Sequence, residues 1–166
     1  DSFKRAIKID PTYAEALNNM GNTFQAKRDP KSAIKCYKKA ILFAPKHDDI
    51  YNNLANAYKQ QSRFKDALKT YQKALQINPQ NAEPHYNLGN MFSEQSDYKS
   101  AVESYANALE LEPNYESARA NKLLAHTFLF DWAEIEKNKK LISELGVSDQ
   151  HIHPFTMLCL EDVPDR

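Results

Sequence analysis

Residues 48–81 read DDIYNNLANAYKQQSRFKDALKTYQKALQINPQN, and this stretch returns down the chain at a pitch of 34. Prolines fall at Pro11, Pro45, Pro79 and Pro113, and aromatics at Phe3, Tyr37, Tyr71 and Tyr105. Alanines fall at Ala6, Ala40, Ala74 and Ala108, and again at Ala33, Ala67 and Ala101. Gly21, Ala55 and Gly89 form a further small-residue column. A fixed period of this size means stacked supersecondary units, each of which buries its apolar face only against its neighbours.

Within each unit the periodicity is helical. Leu17, Met20, Gly21 and Phe24 stand at i, i+3, i+4 and i+7, as do His85, Leu88, Gly89 and Phe92; Leu54, Ala55 and Tyr58 repeat the face. The second half of each unit carries Ala33, Tyr37 and Ala40, or their counterparts. Asp29 and Asp97 stand where an N-cap accepts backbone N–H groups, and Pro30 follows at the first helical position. The period prolines stop each second helix. The spacing predicts an all-α chain with helix pairs at 14–27 with 30–43, 48–61 with 64–77, and 82–95 with 98–111. A lone second helix precedes them at 2–10, and a further first helix spans 116–129. Small residues let paired helices approach, and the aromatic is expected to fill the seam to the next unit.

These columns resemble the tetratricopeptide repeat (TPR) over residues 1 to about 131. The resemblance implies a right-handed superhelix, an α-solenoid of antiparallel helix pairs whose first helices line a concave groove. The family's early tryptophan is absent: Leu17, Tyr51, His85 and Arg119 take its place. The expected organisation is a TPR array over 1–130. It comprises a half repeat at 1–13, full repeats at 14–47, 48–81 and 82–115, and the start of a degenerate fourth at 116–130. Beyond it, 131–166 is expected to form a capping helix and a linker toward a further C-terminal domain. Asp131 with Glu134 reads as a capping box there, but Lys139, Ile142 and Val147 break the aromatic, alanine and proline columns.

Composition removes several function classes. Lys plus Arg number 22 and Asp plus Glu number 22, so the formal charge is zero and the basic excess of a nucleic-acid binder is missing. Apolar residues make up 42% and charged residues 27%, an ordinary globular balance among 166 residues. No apolar run approaches the roughly 18 residues needed to span a bilayer, so no membrane partner is expected. Cys36 and Cys159 build no disulfide framework, which points to a reducing, cytoplasmic compartment, or a nucleocytoplasmic one in a eukaryote. With three glycines and no Gly-rich loop there is no phosphate cradle, and no nucleophile elbow is present. The chain is therefore read as non-catalytic and without cofactor. His151 and His153 lack the further ligands a metal site needs. Lys35, Lys38 and Lys39 read as a solvated helix face.

The candidate binding residues are columns on the first helices. Asn19, Asn53, Asn87 and Asn121 share the 34-residue pitch; Asn22, Asn56 and Asn90 follow three residues later on the same stripe. Glu15, Asp49 and Glu83 precede the first column by one turn. An asparagine offers donor and acceptor together, so a file of them suits the N–H and C=O groups of an extended polypeptide. Asparagine is a mediocre helix former, so its recurrence needs a reason. The alternative is that the amides brace the helix pairs internally, above all in the second column. At the places of the carboxylate clamp of chaperone-binding TPRs stand Asn18, Asn22, Asn53, Glu83 and Asn87, without the basic groups and with an acid. A carboxylate-terminated peptide would be repelled.

Asn19-Met20-Gly21-Asn22-Thr23 and Tyr51-Asn52-Asn53-Leu54-Ala55-Asn56-Ala57 are similar to repeats of the protein O-linked N-acetylglucosamine transferase family. Asp131-Trp132, Lys139-Lys140-Leu141 and the segment 151–158 resemble that family's passage from repeats toward its catalytic region. The resemblance implies a substrate-recruiting scaffold for protein partners with a sugar-nucleotide domain beyond Arg166; a free-standing TPR adaptor is the alternative. The incomplete N-terminal repeat offers a face for self-association.

Overall fold

The computed structural model describes residues 12–131 together with 133 and 137. Seven α-helices follow one another among them, with no strand: α1 Thr12–Ala26, α2 Pro30–Phe43, α3 Asp48–Gln60, α4 Phe64–Ile77, α5 Ala82–Glu94, α6 Tyr98–Leu111 and α7 Glu116–Phe128. The expected lone helix at 2–10 and the tail from 138 onward lie outside the described residues, as does Glu134 of the expected capping box.

The hairpins are α1/α2, α3/α4 and α5/α6, each packed on the next. The first helices α1, α3, α5 and α7 also touch one another in sequence, which makes them one continuous wall. Ala33, Tyr37 and Ala40, with Ala67, Tyr71 and Ala74 and then Ala101, Tyr105 and Ala108, are all buried. The repeating core is therefore a small–large–small stripe on each second helix.

The structure adds to the expected packing of the tyrosines. Each reaches first into its own hairpin, because the small column opposite leaves room for the ring. A Cβ placed on Gly21 would lie 2.4 Å from Cε1 of Tyr37, and one on Gly89 equally close to Tyr105. The space left by glycine is filled by the aromatic ring rather than by helix backbones.

Capping sets the helix starts. Asp29 accepts the Ser32 N–H at 3.1 Å and Asp97 that of Ser100 at 3.2 Å. The hydrogen bonds from Ser32 hold the Asp29 carboxyl below its ordinary range. Arg28, Ser62, Ser96 and Phe130 all take positive φ between 55° and 61° at the turn that ends a first helix. That left-handed column keeps the 34-residue pitch, although no residue in it is glycine.

Candidate functional site

The inner wall is held by rungs that run from one repeat to the next. Asn53 Nδ2 donates to Asn18 Oδ1 at 3.1 Å, and Asn87 Nδ2 to Asn52 Oδ1 at 3.0 Å. Asn121 Nδ2 donates to Asn90 Oδ1 at 2.9 Å and lies 3.4 Å from the Tyr86 hydroxyl. Lys59 Nζ meets Glu94 Oε1 at 2.7 Å across the α3–α5 seam. Asn53–Asn18, Asn87–Asn52, Asn121–Tyr86 and Lys59–Glu94 all share one sequence separation, 35. The sequence pattern picked out the donors. The acceptors Asn18 and Asn52 stand one place earlier, also at the repeat pitch and legible as Asn-Asn doublets; the sequence pattern marked Asn18 only as a clamp position and did not mark Asn52 as a binding residue.

The second asparagine column meets the tyrosines. Tyr37 donates its hydroxyl to Asn22 Oδ1 at 2.7 Å, and Tyr105 to Asn90 Oδ1 at 2.8 Å; Tyr71 does the same to Asn56. Tyr37 also lies 2.9 Å from Gln25 Oε1. Burial pushes the Tyr37 hydroxyl up to about 12, and raises those of Tyr71 and Tyr105 beyond the ordinary phenol range. Each hydroxyl therefore stays protonated and donates at neutral pH. The side-chain oxygens of Asn22, Asn56 and Asn90 are thus engaged inside their hairpins, while their amide N–H groups have no acceptor among the described residues.

Exposure varies along the first column. Asn19 is exposed, Asn53 and Asn121 are half-buried, and Asn87 is buried beside the fully enclosed Asn52, which is 1% exposed. Among the described residues no donor reaches the carbonyl oxygens of Asn53 and Asn87. Each therefore offers an acceptor while its amide serves the neighbouring rung. Glu15, Asp49 and Glu83 are exposed in the first turns of α1, α3 and α5, where the helix dipole favours acids.

His47, Asp48 and Asp49 bring potential ligand atoms within 4.8 Å of one another. Asp48 is already engaged by Asn81 Nδ2 at 2.8 Å and Asn78 Nδ2 at 3.1 Å, which ties the start of α3 to the α4–α5 turn. Tyr51 donates to the Pro45 carbonyl at 3.1 Å and Arg119 to that of Pro113, so the place of the absent tryptophan anchors the inter-repeat turn. Cys36 is buried, and burial raises its thiol, which makes it a weak nucleophile. No helix among the described residues is long and apolar enough to cross a membrane.

Stacked hairpins with a polar inner wall define an α-solenoid repeat protein. The chain belongs to the tetratricopeptide repeat family: the profile described as Tetratricopeptide repeat matches residues 14–47 and 82–115, a second of that description 36–69, and one described as TPR repeat 55–96. No curated protein matches the chain by sequence. Among solved structures, the first TPR of Spaghetti (RPAP3) bound to the HSP90 peptide SRMEEVD is similar at 25% identity and a TM-score of 0.66, over 72% of this chain and 95% of that one. The first TPR domain of human RPAP3 is similar at 25% identity and a TM-score of 0.68, over 77% and 98%. MamA shares the fold at 24% identity and a TM-score of 0.72, over 86% and 84%.

Proposed function

We propose that the chain is a protein–protein interaction module that holds an extended polypeptide along the wall of first helices. The observation that carries this is the row of asparagines at the repeat pitch, with no donor to the Asn53 and Asn87 oxygens among the described residues. The solved Spaghetti (RPAP3) domain, bound to a peptide, supports the binding class. The ligand preference of this chain differs on electrostatic grounds. Exposed Glu15, Asp49 and Glu83 flank the row, and the matching clamp positions carry no lysine or arginine. An acidic segment such as SRMEEVD meets like charge, whereas a neutral or basic extended segment does not. Each amide contact nets only ~0.5–1.5 kcal/mol, so affinity depends on several repeats engaged together.

The test is anisotropy titration of labelled unstructured peptides of basic, neutral and acidic composition, SRMEEVD among them. Basic or neutral peptides bind the chain more tightly than SRMEEVD, and Asn53→Ala weakens them. Tighter binding of SRMEEVD that Asn53→Ala weakens, or indifference of the basic and neutral peptides to Asn53→Ala, overturns the reading.

The finer reading is the substrate-recruiting region of an O-linked N-acetylglucosamine transferase-like protein. It rests on the strings at 19–23 and 51–57 and on a tail outside the described residues. A free-standing adaptor agrees with the comparisons equally well. A glycosyltransferase domain encoded after Arg166 supports the first, and its absence there supports the adaptor.

A further inference from the structure

We propose that the outer face of α2 and α4 is a second docking surface, for an acidic polypeptide segment. Three lysine columns cross these helices at the repeat pitch: Lys31 with Lys65, Lys35 with Lys69, and Lys39 with Lys73. On each helix the lysines stand at i, i+4 and i+8, about 6 Å apart along the axis, opposite the buried alanines and tyrosines. All six are exposed, and none lies within ion-pair distance of a carboxylate among the described residues. Asp66, the one acid on these two helices, is taken by Arg63. Asp29 feels Lys35, but its carboxylate caps α2.

Like charges at i, i+4 destabilise a helix. Two parallel rows of them therefore work against the fold that carries them, and an anionic segment laid over the grid relieves that cost beyond what salt screening does.

The partner's class follows from where the grid stops. In the third repeat Lys99 continues the first column, but Glu103 replaces Lys35 and Lys69 and Asn107 replaces Lys39 and Lys73. A bilayer or a nucleic-acid duplex broad enough to reach α6 meets that glutamate. An acidic chain segment lying over α2 and α4 meets six lysines, and the one acid there, Asp66, is paired with Arg63. With a formal net charge of zero the chain as a whole adds no attraction for an anion, so binding rests on the local match to the grid. The surface lies on second helices, away from the asparagine row, so both faces accept partners at once.

The experiment titrates the chain with a labelled oligoglutamate peptide at low and moderate salt, with Lys35→Glu/Lys69→Glu, Lys46→Glu and Asn53→Ala variants alongside. Lys46 is exposed and off the grid. The double reversal weakens binding about tenfold or more and keeps the helical circular dichroism. Lys46→Glu and Asn53→Ala bind as the unaltered chain does, which separates this surface from the groove. The proposal is overturned if oligoglutamate fails to bind, or if Lys46→Glu weakens it as much as the double reversal. It is overturned equally if phosphatidylserine vesicles or duplex DNA bind more tightly through the same lysines.

Discussion

Asn87 Nδ2 donates to Asn52 Oδ1 at 3.0 Å across the seam between two repeats, and both side chains are buried. The pair is an internal rung as well as part of the inner wall. Asn87→Ala leaves the enclosed Asn52 oxygen without its donor and costs about 1–3 kcal/mol of stability. Asn53→Ala, whose partner Asn18 is half-buried, costs less because water replaces the lost donor. Denaturant midpoints of the two single variants check the order: the loss at Asn87 exceeds the loss at Asn53.

The tyrosine–asparagine bonds are worth testing as pairs. Tyr71→Phe removes the hydroxyl that donates to Asn56 and costs ~0.5–1.5 kcal/mol. Combined with Asn56→Ala it costs less than the sum of the two, since the singles break one bond. A double-mutant cycle by chemical denaturation reads the coupling directly, and strict additivity contradicts it.

Alkaline pH unfolds the chain through the same hydroxyls. The Tyr37 phenol lies near 12 in the folded state against 10.0 for an unburied one. Between those values the unfolded chain loses the proton that the folded chain keeps, so stability falls as pH rises above about 10. On the acid side, burial lowers His85 below 6.5, so its contribution is lost as pH falls through that range. Melting curves across pH show both flanks. Tyr37→Phe shallows the alkaline one, and His85→Gln the acid one.

The small-residue column sets a steric limit. Ala55 already stands in it opposite Tyr71, so Gly89→Ala is absorbed by a shift of the Tyr105 ring. Its helix-propensity gain of about 1 kcal/mol offsets much of the strain. Gly89→Leu exceeds the space and costs about 1–3 kcal/mol. Thermal melts of both variants decide this, with the leucine variant melting well below the alanine one.

Ser62 and Ser96 hold φ at 57° and 61°, where a side chain is strained. Ser96→Gly relieves that strain and stabilises the chain by about 1 kcal/mol. The melting temperature then rises by a few degrees. An unchanged or lowered melting temperature contradicts this account of the turn.

Much of the architecture was legible because each repeat states it again. Ala33, Ala67 and Ala101, with Tyr37, Tyr71 and Tyr105, placed the second helices, and the Asp29-Pro30 pair placed a helix start. The left-handed turn residues were not legible. Arg28, Ser62, Ser96 and Phe130 share a backbone conformation but no side-chain chemistry, and only the path between paired helices demands it.

The order of helices, their pitch and the choice of asparagine for the inner wall were determined by the sequence alone. Burial of small and aromatic residues at a fixed period calls for stacked helix pairs, each covering the next. Which amide meets which group was decided only by the stacking of one hairpin on the next. The offset of neighbouring first helices pairs residues 35 apart, one more than the period. No column read along the chain contains that shift, because it exists only between hairpins that are stacked on one another.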